Sequence, residues 1–143
     1  MARVIGDNMA RIIPHREDTL HIGIVRAWSF YYGKYAHHFG IETPEEWRLL
    51  LHHSPNGGKR SESEAARFKA MGTRKGFPDL FLALPCNGYN GAFFELKSEK
   101  GRLSAEQKAY LALLERMGYK TYVTRGYEEF DKQLEEYLIS TKL

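Results

Sequence analysis

Two short apolar runs, each carrying an acid, constrain what this chain can fold into more than anything else in it. The first is Pro78-Asp79-Leu80-Phe81-Leu82-Ala83-Leu84 and the second Ala92-Phe93-Phe94-Glu95-Leu96-Lys97. Between them lies Asn87-Gly88-Tyr89-Asn90-Gly91, whose turn residues make the two runs neighbouring strands. Side chains at i and i+2 of a strand share a face, so Glu95 and Lys97 stand side by side while Leu96 enters the opposite layer. Asp79, on the adjacent strand, then faces Glu95. A charge on an apolar strand is costly, and stability alone gives little reason to put two acids there. The plain alternative is a surface hairpin whose Glu95–Lys97 ion pair contributes ~0–1 kcal/mol.

Two neighbouring carboxylates repel unless a cation lies between them, and hard oxygen ligands select Mg²⁺ or Mn²⁺. Such an ion polarises a phosphoryl oxygen and lowers the pKa of a bound water. Lys97, beside Glu95, is placed to orient the water or to offset the charge that grows in a phosphoryl transition state. Asp79, Glu95 and Lys97 therefore have the residue types and spacing of a metal-dependent phosphodiesterase. Consecutive histidines at His37-His38 and His52-His53 point apart on a helix or strand, and no Cys or Asp lies at zinc spacing. A zinc site and an HNH-type layout are disfavoured on that ground.

With 143 residues the chain is long enough to bury one core and too short for two, so residues 1–143 read as a single domain with its core at about 17–138. An apolar fraction of 43% fits a globular chain, and no apolar run reaches the roughly 20 residues of a membrane span. The N-terminus lacks an apolar core after a basic start, so no signal peptide is read and a cytoplasmic residence is expected. Cys86 is the single cysteine, expected as a free structural thiol. Net charge is only +3, but its distribution is uneven. Lys59, Arg60, Arg67, Lys69, Arg74 and Lys75 precede Asp79, and Lys97, Lys100, Arg102 and Lys108 accompany or follow Glu95. That flanking suits a phosphate backbone; a solvated basic face is the other reading.

Leu20, Ile24, Trp28, Tyr31 and Tyr35 recur at helical spacing, predicting a long amphipathic helix from Glu17 to about Phe39. Glu17 shares this inward stripe, which leaves it either in a site or favoured simply by the helix dipole. A short helical piece opens at Thr43-Pro44, or the chain passes from helix to strand through 47–53. Ser54-Pro55-Asn56-Gly57-Gly58-Lys59-Arg60 is a loop, either a plain turn or a cradle of backbone N–H groups for a phosphate. Ser61 caps a helix to about Met71. Ser104-Ala105-Glu106-Gln107 has the form of a capping box for a helix to about Met117. Gln107 also shares a face with Tyr110, Leu111 and Leu114, so capping need not be its whole role. A strand over 119–124 and a helix over 127–138 close the chain. The expected order is helix, helix, β-hairpin, helix, strand, helix: an α/β fold with a mixed central β-sheet flanked by helices.

Taken together, Glu17-x-x-Leu20, Ser54-Pro55-Asn56-Gly57-Gly58-Lys59-Arg60, Gly72, Gly76-x-Pro78-Asp79, Glu95-Leu96-Lys97, Gly101-x-Leu103-Ser104-x-x-Gln107 and Gly118-Tyr119 resemble the virus-type replication-repair nuclease (VRR-Nuc) domain of the PD-(D/E)XK superfamily. The likeness runs from about Glu17 to Tyr127. It implies a restriction-endonuclease-like core and a Mg²⁺- or Mn²⁺-dependent DNA endonuclease. Members of this size resemble homodimeric resolvases of branched DNA such as four-way (Holliday) junctions; larger relatives cut flaps. By the same resemblance Asp79 and Glu95 are metal ligands with the Leu96 carbonyl, Lys97 is the catalytic lysine, and Glu17 and Gln107 are further catalytic residues. Asn56, Lys59, Arg60, Arg74 and Lys75 are the DNA-binding candidates. His21 stands where the family often has Gln, which leaves Asp18 as an alternative to Glu17. The competing readings are a DNA-binding module that has lost catalysis and a restriction-type or RNA nuclease. Intact Asp79, Glu95 and Lys97 oppose the first, and the absence of a legible recognition segment or stacking-aromatic platform opposes the second.

Overall fold

The computed structural model describes residues 16–55 and 60–139, with the side chains of Arg16 and Glu17 outside that description. Among the described residues six α-helices and four strands follow one another as α1 (Arg16–Phe30), α2 (Tyr32–Tyr35), a 3₁₀ turn (Ala36–Phe39), α3 (Pro44–Leu49), β1 (Leu51–His53), α4 (Glu62–Ala70), β2 (Leu80–Leu82), β3 (Ala92–Leu96), α5 (Ala105–Arg116), β4 (Lys120–Thr124) and α6 (Tyr127–Ile139). The strands form one sheet in the order β1-β2-β3-β4, antiparallel between β1, β2 and β3 and parallel between β3 and β4. This is the expected α/β architecture with a mixed central sheet. A fourth strand, β1, extends its edge beyond the three foreseen, on the helix-to-strand passage that the sequence left open.

Alternation along the strands divides the sheet into two covered faces. Leu80, Leu82, Ala92, Phe94, Leu96 and Tyr122 join Ile24 and Trp28 of α1 and Phe130, Leu134 and Tyr137 of α6 in the main core. On the other face Phe93 stacks on Phe81, and its edge meets Phe77 and Tyr119. Covered on both sides, β3 is buried along its whole length, which explains why it reads as a nearly continuous apolar run. A lone acid on such a strand is therefore an exception to its surroundings.

The predicted long first helix is broken into segments. Its inward stripe holds, with Ile24, Trp28 and Tyr35 buried, but α1 stops at Phe30 and the chain continues through the one-turn α2 into a 3₁₀ turn that ends at Gly40 with φ of 72°. The tightened turn lets the chain reverse into α3, where Thr43 and Glu46 form a reciprocal capping box with Pro44 at the first helical position. α3 is fixed to α1 by its tryptophan. Trp28 and Trp47 stack at 4.1 Å, and each indole N–H donates to the other residue's carbonyl at 2.7 and 2.8 Å. Both buried indoles are thus satisfied, as their burial requires. Cys86 is free and buried, and burial pushes its thiol up to about 12, so it is an inert packing residue.

Candidate active site at the β2–β3 strand ends

In the antiparallel ladder Leu80 lies opposite Phe94 and Phe81 opposite Phe93, so one step further Asp79 lies opposite Glu95. Both acids share the face of Phe81 and Phe93, which α5 covers. Glu95 is only 3% exposed, whereas Asp79 is half-buried. The Leu96 N–H donates to Asp79 Oδ2 at 2.7 Å, fixing that carboxylate against the end of β3. Along a strand the N–H and C=O of one residue leave on the same side. The Leu96 carbonyl therefore leaves β3 on the side of Asp79, while the next N–H, that of Lys97, turns to the Thr124 carbonyl of β4 at 3.0 Å.

Gln107 reaches the same point from α5. Its side-chain oxygen accepts from the Ser104 N–H at 2.8 Å and its own N–H is accepted by Ser104 Oγ at 3.1 Å, completing the capping box. Its amide nitrogen donates to Glu95 Oε1 at 2.9 Å. Since the Ser104 N–H can only donate, the amide orientation is determined by chemistry as well as by position. Capping is therefore not its whole role: one amide caps the helix and holds the buried carboxylate.

Asp79, Glu95, Leu96, Lys97 and Gln107 all line one cleft of about 430 Å³, together with Lys75 and Arg102. The donor set suits a small hard cation. Two carboxylates and a carbonyl are oxygen donors only, and Mg²⁺ is commonly held by one or two carboxylates while keeping waters and substrate oxygens for its remaining positions. Among the described residues no group of three or more His, Cys, Asp or Glu side chains could hold a metal, so the carbonyl and water would have to complete the shell. The side chain of Glu17 lies outside the described residues, as do Asn56 and Lys59; Asp18 is exposed. Of the other DNA-binding candidates, Arg60 and Arg74 line the neighbouring cleft, Arg74 also donating to the Lys69 carbonyl. Lys75 lines the acidic cleft and pairs with Glu106 at 3.4 Å, both exposed.

Three supports escaped the sequence reading. The Asp79 carbonyl accepts from His53 Nδ1 at 2.9 Å, and the His53 ring meets His21 of α1 edge-on at 4.3 Å. The His21 pKa is lowered, chiefly by burial and next by His53, against the opposing pull of Asp79 and Asp18. Arg125 donates to the carbonyls of Ser98 and Gly101 at 2.9 and 2.5 Å and so fixes the loop that follows Lys97. The consecutive histidines gave a faint signal for His53; nothing in the sequence connects Arg125 to this loop.

The comparisons with known proteins bear on the fold and the family. A solved structure described as a VRR-NUC domain protein superposes with a TM-score of 0.56 at 28% identity, over 65% of this chain and 70% of that one. No curated protein matches the chain. The family model of the VRR-NUC domain matches residues 17–128, well over half of the chain and a span that includes both acids, Lys97 and Gln107. The paired carboxylates thus sit where a family of nucleases carries its shared domain, and the chain belongs to that VRR-NUC domain family.

Proposed function

We propose that this chain is a metal-dependent, structure-selective DNA endonuclease that hydrolyses phosphodiester bonds in branched DNA, such as four-way junctions, as a homodimer. The observation that carries the reading is Asp79 opposite Glu95 in the lining of a cleft that Lys75, Lys97 and Arg102 also line. Asp79, Glu95 and the Leu96 carbonyl would hold Mg²⁺ or Mn²⁺. When bound, the ion polarises a phosphoryl oxygen and lowers the pKa of a water. The chain's own residues do the rest. Leu96 N–H and Gln107 fix the two carboxylates so that neither has to reorganise when substrate arrives. Lys97, on the wall of the cleft, offsets charge on the phosphate as water adds to phosphorus and the bond to the leaving oxygen breaks. The cations around the acids counter the repulsion that two carboxylates would exert on a polyanion. An inactive binding module would gain nothing from that repulsion.

Labelled four-way junctions, flaps, duplexes and single strands, incubated with Mg²⁺ or Mn²⁺, test the reading. Junctions should be cut in preference to linear duplex. Asp79→Asn and Glu95→Gln should each abolish cleavage and leave DNA binding unchanged or tighter, because removing a negative charge also relieves repulsion of phosphates. Cleavage by either variant at close to the wild-type rate would remove these acids from the reaction.

A further inference from the structure

Beside the acidic cleft is a second one of about 450 Å³, within the range of small-molecule sites, and Phe77 lines both. Its walls are of a different kind. Phe68, Met71, Phe77 and Tyr110 supply apolar and aromatic surface, and Arg60 and Arg74 supply positive charge. The Arg60 guanidinium lies 4.2 Å from the centre of the Phe68 ring, and Phe77 meets Tyr110 edge-on at 5.3 Å. A further cleft of about 370 Å³ shares Arg60, Phe68 and Arg74 and adds Lys69 and Lys75. Among the described residues no acid lines either of the two.

Packing on the sheet accounts for Phe77, whose ring meets Phe93, but not for the side chains at and beside α4. No residue of α4 is buried, Met71 at its end is 68% exposed, and none of Phe68, Met71, Phe77 and Tyr110 belongs to the main core. Helix α4 therefore holds an aromatic ring and a methionine over a basic cleft rather than in the interior. Half-buried rings, one of them with a guanidinium over it, match the chemistry of a nucleotide: flat faces for a base, cations for its phosphates. In a duplex the face of a base is covered by its neighbours in the stack. Only an unpaired, unstacked nucleotide has one to offer.

We propose that this cleft is a subsite for an unpaired nucleotide of the DNA, its base stacked among Phe68, Phe77 and Tyr110 and its phosphates met by Arg60 and Arg74. The proposal rests on the nuclease reading for its substrate and deepens it. Because Phe77 joins the two clefts, the nucleotide held here adjoins the bond to be cut. Unpaired nucleotides are available at flaps and at imperfectly paired branch points and are absent from intact duplex, so the subsite gives the enzyme a means of preferring branched DNA that offers one.

The test uses the full chain carrying Asp79→Asn, so that binding is read without cutting. Its affinity is measured by fluorescence anisotropy for a junction with one unpaired nucleotide at the branch and for the same junction with an abasic residue there. The abasic junction should bind roughly tenfold more weakly, the order that one stacked base supplies. Adding Phe68→Ala should weaken the first junction by a similar factor and leave the abasic one unchanged, the signature of a direct coupling. Phe68→Leu, which keeps the apolar bulk and lacks the flat face, should behave like the alanine variant. Equal affinity for the two junctions overturns the proposal with no variant needed, and so does an equal loss on both in the Phe68 variants. The two readings fail separately. Base discrimination by a protein that cleaves no DNA in Mg²⁺ or Mn²⁺ would remove the catalytic reading and keep the subsite, whereas cleavage indifferent to the missing base would do the reverse.

Discussion

Gln107 shows how much one side chain can be asked to do. Its oxygen completes the cap of α5 and its nitrogen holds Glu95, so the position of the helix and that of the buried carboxylate are joined through one planar amide. A hydrogen bond to a charged group contributes ~1.5–3 kcal/mol, and leaving a buried carboxylate without it costs at least as much. Gln107→Glu separates the two functions, because a carboxylate caps as well as an amide and suits the positive helix end, yet it sets like charges together at Glu95. Cleavage should fall by about tenfold or more and the metal-free protein should melt lower, consistent with ~1–3 kcal/mol of lost stability. Wild-type turnover and melting in Gln107→Glu would show that the contact with Glu95 is dispensable. His53 works at the same scale by a different route, since its ring holds the Asp79 backbone rather than its carboxylate.

At the scale of elements, the site depends on where α5 begins. Gly76 has φ of 86°, and a Cβ there would lie 2.8 Å from the Glu106 carbonyl carbon and 3.0 Å from the Gln107 nitrogen. Both the left-handed backbone and the approach of the 74–77 segment to the first turn of α5 demand glycine at this position. Gly76→Ala would add ~1–2 kcal/mol of backbone strain and also push the helix start, and Gln107 with it, away from Glu95. The expected result is a lower melting temperature together with a loss of activity larger than the unfolded fraction explains. Calorimetry and initial rates on the same sample measure both. Activity that merely tracks the folded fraction would mean that α5 is free to start elsewhere. The edge strand β1 contributes in a complementary way, since pairing His53 with Leu80 carries the imidazole to the Asp79 carbonyl.

For the whole molecule, the proposed paired cutting rests on the site being presented to a branched substrate twice. A homodimer would place two acidic clefts on one junction, and the expected result is paired incisions in opposing strands. Multi-angle light scattering with junction DNA should give the mass of two chains per junction, and plasmid-borne cruciforms should be linearised rather than nicked. A single chain per junction with uncoupled nicks would exclude that arrangement. Charge distribution supports the way DNA would lie. Arg60, Lys69, Arg74 and Lys75 line clefts that lead to the acids, so the modest net charge of +3 understates the local field.

The sequence by itself determined the two acids, their lysine and the capping glutamine, because strand alternation and helix capping are local rules that act over two to four residues. It also determined the hairpin of β2 and β3, the helices that follow and the inward stripe of α1, each announced by turn residues, caps or periodicity. What it left open needed the third dimension. The break after Phe30 follows from packing that turns the chain toward α3, locked by the tryptophan pair across a separation of 19 residues. That Gln107 caps and also binds Glu95 depends on how α5 docks on the sheet, and no spacing along the chain records a docking angle. Phe68, Phe77 and Tyr110 are scattered over more than forty positions and read singly as ordinary apolar residues. Only the placement of α4 and α5 around one cleft gathers them, since a site made of distant segments is written in contacts that local physics does not encode.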